Sequence, residues 1–246
     1  MRRRTLVGIS AVIVLLIVGA LSFLKHSHLV PLSPAELALK HINPPSSWAD
    51  PDCSRLRLTI STAVRESGPR NVMSVAPLSA DEVAVYRAVL HQWNSNARAS
   101  LHVADRTFPL DAVSPTSRIS NCECLRSLEV QGLVSASHSI HALTRAVFPE
   151  RNIRLVDADK QLTTIQHDDP HNGMTGGKSV QKAVNDAVAS GLFSMSEIAF
   201  DRDHRKALVS YGFVCGSLCG NGGTWLLEKV NGAWRRTDRV CGGWVS

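Results

Sequence analysis

The stretch that decides the fold is FSMSEIAFDRDHRKALVSYGFVCGSLCGNGGTWLLEKVNGAWRRTDRVCGGWVS, residues 193–246. Runs of alternating apolar and polar residues are separated here by short turn sequences, of which Asn231-Gly232 is the clearest. Alternation with a period of two is typical of half-buried strands, and Asn-Gly favours a two-residue hairpin turn. The stretch therefore predicts a four-stranded antiparallel meander over residues 192–246.

Closing each turn symmetrically also predicts the register of the meander. The expected pairs are Val230 with Ala233, Glu228 with Arg235, Trp225 with Asp238, Phe213 with Trp225, and Phe200 with Ala207. Because alternate strand residues share a face, one face is expected to be apolar and to form the core, comprising Ile198, Phe200, Val209, Tyr211, Phe213, Trp225, Leu227 and Trp234. The opposite face is expected to be polar, with Ser210, Glu228, Arg235, Thr237 and Arg239.

The region before the meander shows helical patterns as well as strand patterns. Ser79 and Glu82 have the spacing of a capping box, which predicts a helix start. Helix-period apolar residues cover 178–190. Weaker patterns predict a helix near 137–148 and strands at 55–61, 101–105 and 152–157. The fold class expected is α+β, with helices packed on the C-terminal four-stranded antiparallel meander.

The N-terminal end has the features of a membrane segment. Residues 6–24 contain no charged residue and form an apolar run of 19 residues. At about 1.5 Å per residue, such a helix approaches the roughly 30 Å thickness of a bilayer core. Arg2, Arg3 and Arg4 precede the run, so residues 1–5 are expected in the cytoplasm and the rest outside. A signal peptide cleaved after the small residues Val18-Gly19-Ala20 is the alternative.

The segment that follows has the composition of a linker. Five of the eleven prolines lie between residues 31 and 51, and proline prevents regular helix. We therefore predict a linker over residues 25–51 and an extracytoplasmic α+β domain over residues 52–246. The protein is expected to be a single-pass membrane protein whose C-terminal domain is periplasmic or extracellular.

The six cysteines are expected to form disulfides, because exported proteins meet an oxidising environment. Cys215, Cys219 and Cys241 gather at one end of the meander, and the preferred bond joins Cys241 to Cys215 or Cys219. Cys122 and Cys124 are too close to bond each other, so each pairs elsewhere; Cys53 is one candidate and one leftover thiol is an alternative. Six cysteines allow 15 connectivities, so the pairing stays open.

Charge and loop motifs argue against nucleic-acid and nucleotide binding. The net charge is +6, but beyond the N-terminal arginines 24 lysines and arginines face 21 acidic residues, a net of +3. This excess is not concentrated in a basic patch such as nucleic-acid binders use. The stretch Gly173–Ser179 resembles a phosphate loop, but Asn172 stands where that motif needs glycine. No cofactor is predicted.

Histidines supply the weak candidates for chemistry. His167 and His171 flank two aspartates and could hold a metal ion, but Pro170 predicts a loop there, without a common ligand face. His138 and His141 lie at i, i+3 on a predicted helix. A catalytic site assembled from scattered residues would draw on a carboxylate and on His91, His102, His138, His141 or His167. No catalytic residue is assigned.

The C-terminal stretch resembles a family of uncharacterised exported bacterial proteins. The matching motifs are Phe193-Ser194 to Phe200, Ala207-Leu208-Val209, Cys215 to Gly220, Leu227-Glu228-Lys229, Gly232-Ala233-Trp234 and Trp244-Val245-Ser246. They correspond to a Cys-Gly-x-Leu-Cys-Gly loop, a Gly-x-Trp and a final Trp-x-Ser between strands. The resemblance covers about 55 residues and implies a shared fold, without an activity.

Three functions are consistent with these patterns. The leading interpretation is a non-catalytic envelope module that binds a ligand or an envelope protein, held to the membrane by its N-terminal helix. A hydrolase-like enzyme with a site assembled from scattered histidines and carboxylates is the alternative. A metal-binding envelope protein is the third.

N-terminal sequencing of the mature protein is expected to read from the start of the chain. The apolar run of 19 residues exceeds the usual signal-peptide core of about 7–15 residues, which favours an uncleaved anchor. A mature N terminus directly after Ala20 would instead show a cleaved signal peptide.

Overall fold

The computed structural model describes residues 51–68, 71–94, 100–112, 119–217 and 219–246. The predicted membrane segment, and the predicted linker up to residue 50, lie outside these ranges. Within them, no helix combines the length and the apolarity needed to cross a bilayer.

The described residues form a mixed α+β fold, as predicted. The helices are α1 (Pro51–Glu66), α2 (Ala80–Trp93), α3 (Cys122–Arg126), α4 (Val130–Ala136), α5 (Ala158–His167), α6 (Pro170–Thr175) and α7 (Val180–Ser190). The strands are β1 (Val72–Met73), β2 (Leu101–Ala104), β3 (Ser139–Ile140), β4 (Ile153–Val156), β5 (Leu192–Met195), β6 (Ala199–Phe200), β7 (Lys206–Gly216), β8 (Cys219–Val230) and β9 (Ala233–Val245).

Most strands belong to one sheet of order β4-β2-β5-β7-β8-β9, with β6 pairing β7 beyond the end of β5. From β5 to β9 the strands are antiparallel, which confirms the predicted C-terminal meander. On the other side β4, β2 and β5 are parallel neighbours. The sheet is therefore larger than predicted, because the short strands from the first half of the domain extend it.

The predicted register is right at the local turns and wrong across the cysteine loop. Val230 pairs Ala233, Glu228 pairs Arg235 and Phe200 pairs Ala207 as expected. Phe213, however, pairs Asn221, because residues 220–223 belong to strand β8 and are not part of a loop. Bulges between β8 and β9 also place Val240, and not Asp238, opposite Trp225.

The predicted apolar face forms the first core. Val85, Tyr86 and Val89 of α2 pack there with Phe193 and Leu227 of the sheet. This arrangement confirms that helical side chains cover that face.

The opposite face is also covered, although it was predicted to be polar. Leu208 and Leu226 pack there against Ile60 of α1 and Leu133 of α4. The stretches 207–209 and 225–227 are continuously apolar, and such runs are typical of strands buried on both faces. Helices therefore pack on both faces of the sheet.

Two predicted elements are wrong. Residues 55–61 lie in helix α1, where Cys53, Ile60 and Val64 are buried on one side while Leu58 is 67% exposed. The helix predicted near 137–148 is absent: Ser137 caps the end of α4, and the chain continues into β3 and turns. In both places the spacing of the apolar residues fits the period of a strand as well as that of a helix.

The disulfides join Cys53 to Cys122, Cys124 to Cys241, and Cys215 to Cys219. Pairing of Cys122 and Cys124 with partners elsewhere is confirmed, and no cysteine of the described chain is left as a free thiol. The predicted bond from Cys241 to Cys215 or Cys219 is wrong. Cys241 is buried in the second core and Cys215 in the first, so the two lie on opposite faces of the sheet.

Replacing Cys124 and Cys241 with alanine is expected to destabilise the protein more than replacing Cys215 and Cys219. The first bond joins residues 117 apart and the second joins residues 4 apart. Loop-closure entropy assigns about 5 kcal/mol to the long loop and about 2 kcal/mol to the short one. Urea unfolding followed by circular dichroism measures both losses, and equal losses would contradict this ranking.

Candidate functional site

A buried polar cluster lies at the carboxyl ends of the parallel strands, where ligand sites in parallel sheets commonly occur. Thr107 follows β2 and Glu197 follows β5, and these strands are parallel neighbours. The two segments stay adjacent past the strand ends, since Phe108 forms a parallel bridge with Ser196. As a result the Thr107 hydroxyl donates a hydrogen bond to Oε1 of Glu197.

His141 joins this cluster from the segment that follows β3. That segment runs antiparallel to the end of β2, with a hydrogen bond of 2.9 Å from the Thr107 N–H to the His141 carbonyl. The His141 N–H donates to Oε1 of Glu197 at 2.8 Å, and its ring Nδ1 lies 2.9 Å from Oε2. The side chains of His141 and Glu197 are only 13% and 4% exposed. A carboxylate and an imidazole thus form a pair largely removed from water.

Glu82, in the first turn of α2, completes the cluster. Its carboxylate closes the predicted capping box by accepting the Ser79 N–H at 2.6 Å, and Ser79 caps the helix in return. One donor atom each from Glu82, His141 and Glu197 lie within 4.8 Å of one another. Two carboxylates and one imidazole are ligand types that divalent transition metals accept.

Tyr86 lies one turn after Glu82 on the same helix. Its hydroxyl donates to the Ser196 carbonyl at 3.2 Å. Burial, and then the charges of Glu197 and Glu82, raise the pKa of Tyr86 well above its ordinary value. Tyr86 therefore stays protonated at neutral pH and serves as a hydrogen-bond donor beside two carboxylates.

A groove lies on the second face of the sheet and has a volume of about 340 Å³. This volume is at the lower end of the range of about 300–1,000 Å³ found for ligand sites, so the groove fits a small molecule. Its lining includes three aromatic residues, three residues with small hydroxyl side chains and one carboxylate: Phe108, Tyr211, Trp244, Ser194, Ser210, Thr224 and Asp111.

One row of paired residues explains the groove. Ser194, Gly212, Gly222 and Trp244 stand directly opposite one another across β5, β7, β8 and β9. A Cβ on Gly222 would lie 2.2 Å from Nε1 of Trp244, and one on Gly212 would lie 3.6 Å from its Cζ2. The two glycines therefore leave the space in which the indole lies flat across the strands.

The histidines singled out by the sequence are scattered, with one exception. His91 is exposed at the end of α2, and His102 lies half-buried in β2. Nε2 of His138 is 2.8 Å from the Val64 carbonyl. His138 and His141 are not on a helix, contrary to the prediction. Only His141, of the five proposed for catalysis, meets a carboxylate in a buried setting within the described chain.

The weak metal candidates do not converge. His167 is exposed and lies beside Asp168, and His171 is exposed on helix α6. The predicted loop at Pro170 is wrong, since this proline opens α6, where its missing N–H costs nothing. Among the described residues, the three side chains that lie close enough together to hold a metal ion are Glu82, His141 and Glu197.

Glu197 and the role of Trp244 were missed at the sequence level. Glu197 can be recognised as a site residue only once β2 and β5 are known to be parallel neighbours, because their carboxyl ends then lie at the same edge of the sheet. The signal for the groove was the glycine-rich stretch Gly220–Gly223 together with Trp244.

Comparisons with known proteins gave no relative. No known protein family, no curated protein and no solved structure matches this chain.

Asp169 connects helix α6 to the small disulfide loop. Its Oδ1 accepts the His171 N–H at 2.9 Å, and its Oδ2 accepts the Ser217 N–H at 2.6 Å. These N–H groups, that of Ser217 first, lower the pKa of Asp169. The carboxylate thus caps a helix and holds the Cys215–Cys219 turn against it.

Replacing Asp169 with alanine is expected to reduce the free energy of unfolding by about 1 kcal/mol at neutral pH, as for other caps. Because the pKa of Asp169 is lower in the folded state, its contribution is present above about pH 5 and is lost as the pH falls further. Urea unfolding at several pH values tests this difference.

Asp168→Ala is the matched control, because its carboxylate contacts only the exposed side chain of His167 among the ion pairs described. It should change stability by less than about 0.5 kcal/mol. A gap between Asp169→Ala and the parent that widens towards acid pH would contradict the assigned role.

Proposed function

We propose that this chain is a membrane-anchored, extracytoplasmic, non-catalytic binding module whose ligand occupies the groove lined by Trp244. The uncharged run at residues 6–24 and the arginines before it support the anchor. Three disulfides support an oxidising compartment.

The observation that carries the binding function is the row Ser194–Gly212–Gly222–Trp244. Its members lie on four hydrogen-bonded strands, and sites built on strands are held more rigidly than sites on loops. A preformed aromatic surface loses little entropy when a ligand binds. The described lining of the groove offers the carboxylate of Asp111 and no histidine, which supports binding and not acid–base catalysis.

The chemistry of the groove favours an uncharged polyhydroxy ligand with one apolar face, such as a saccharide. The indole of Trp244 offers a flat surface for the C–H face of a sugar ring. Ser210, whose hydroxyl oxygen lies 2.7 Å from that of buried Thr224, can exchange hydrogen bonds with sugar hydroxyls. The carboxylate of Asp111 adds a strong acceptor at the edge of the groove.

One observation favours the alternative of a hydrolase-like enzyme. The buried pair of His141 and Glu197 has the geometry of a base and the carboxylate that orients it. The groove and this pair lie on different faces of the sheet, so the enzyme hypothesis needs a second cavity next to His141.

Replacing Trp244 with alanine is expected to weaken saccharide binding by about two- to tenfold, since an aromatic stacking contact contributes about 0.5–1.5 kcal/mol. The probes are the trisaccharides of N-acetylglucosamine, glucose and galactose. Isothermal titration calorimetry on the full-length protein in detergent measures their affinities.

Val245→Ala is the control, because Val245 follows Trp244 on β9 and is 85% exposed. It should leave the affinity unchanged. Absence of binding for all three trisaccharides at millimolar concentration would refute the saccharide proposal, as would equal affinity of the parent and Trp244→Ala.

A further inference from the structure

We propose that Glu82, His141 and Glu197 together bind one divalent transition-metal cation of the zinc type. This proposal is independent of the groove, because none of the three residues lines it. It rests on the convergence of three chain segments, on the charge balance of the cluster and on the way its hydrogen bonds leave ligand atoms available.

The three ligand residues come from distant parts of the fold. Glu82 is held by the first turn of α2, His141 by its pairing with the segment after β2, and Glu197 by the end of β5. Each is therefore fixed by a separate structural element, and the donor atoms still lie within 4.8 Å of one another. Imidazole nitrogen with carboxylate oxygen suits zinc and its first-row neighbours better than magnesium or calcium.

The charge balance also favours a cation. Glu197 is buried, and buried carboxylates are normally paired with a cation or coordinate a metal. Its partners are the neutral donors of Thr107 and of the His141 backbone, together with the His141 ring. The imidazole of His141 can carry at most one positive charge against two carboxylates, whereas a dication matches the charge of both.

Basic residues near this cluster along the chain make contacts elsewhere. Arg145, four residues after His141, donates to backbone carbonyls of the segment 148–153. The guanidinium of Arg87, on α2, donates to the carbonyls of Val147 and Ala146. Arg106, next to Thr107, pairs with Asp159. None of these contacts neutralises Glu82 or Glu197, so the negative charge of the cluster is left for a bound cation.

The hydrogen bonds show which atoms would bind the cation. Oε1 of Glu197 is held by the Thr107 hydroxyl and the His141 N–H, so Oε2 is the oxygen available to the metal. The cation would take the place of the hydrogen between Oε2 and Nδ1 of His141, and the neutral imidazole would then carry its hydrogen on Nε2. The third ligand is a carboxylate oxygen of Glu82, and water completes the coordination.

The ligand side chains need to move only slightly to bind the cation. With metal–ligand bonds of about 2.0–2.1 Å in a tetrahedral site, ligand atoms stand about 3.3 Å apart. The contact of 2.9 Å between Nδ1 and Oε2 would open slightly, while Glu82 would move inwards by about 1–1.5 Å from the limit of 4.8 Å. Glu82 is half-buried at a helix start, so its side chain can make this movement.

The test is a zinc titration of the full-length protein in detergent after chelator treatment. Calorimetry is expected to show one equivalent of zinc bound. His141→Ala should weaken binding by about 100-fold and Glu82→Gln by about tenfold. The double variant His167→Ala/His171→Ala is the control, because it removes two exposed histidines, and it should bind zinc like the parent.

Three outcomes would overturn the proposal: no zinc binding by the parent at about 100 µM, unchanged binding in Glu82→Gln, or loss of binding in the control only. Displacement of zinc by millimolar magnesium would refute the transition-metal class. Because His141→Ala leaves buried Glu197 without its ring partner and could unfold, Glu82→Gln is decisive. Its half-buried site and retained side-chain shape preserve the fold, which the melting temperature without metal verifies.

Discussion

The parallel pairing of β2 with β5 is the constraint on which the rest of the structure depends. Val103 pairs Phe193 there, although the two residues are 90 positions apart in the chain. This pairing joins the short strands of the first half of the domain to the antiparallel meander of the second half. It also places Thr107 beside Glu197, since the two strands end at the same edge of the sheet. Pairing of residues so far apart in the chain has a cost in loop-closure entropy, which contacts between the two strands must offset. The buried hydrogen bonds at the strand ends therefore help to hold the two halves of the domain together.

The sequence predicted the features that depend on neighbouring residues. The Asn231-Gly232 turn, the pairing of Val230 with Ala233 and the capping box of Ser79 with Glu82 are all confirmed. In each case the geometry is set within a few residues, by backbone conformations that asparagine and glycine adopt or by a side chain that reaches its own helix start. The N-terminal anchor stays a prediction, since it lies outside the described residues.

The features that the sequence did not predict depend on distant contacts. Helix α1 contains Leu56, Leu58 and Ile60, which alternate like a strand, but burial of Ile60 with Val64 follows the helical period. The glycines of β8 resemble a loop until Trp244 is placed across them, and that placement needs the pairing of β8 with β9. The disulfide partner of Cys241 is Cys124, which lies 117 positions earlier in the chain. None of these outcomes follows from local spacing.

The cluster and the groove lie on different faces of the sheet but share one piece of backbone. Phe108 lines the groove, and its carbonyl accepts the N–H of Glu197 at 2.7 Å. Ser196, between the two sites, accepts the Tyr86 hydroxyl through its carbonyl, and its side-chain oxygen accepts the Ser210 N–H. The bond between Phe108 and Glu197 joins backbone atoms, so a side-chain substitution in one site leaves this connection in place. Glu82 belongs only to the cluster and Trp244 only to the groove. Substitutions at these two residues therefore test the two sites separately.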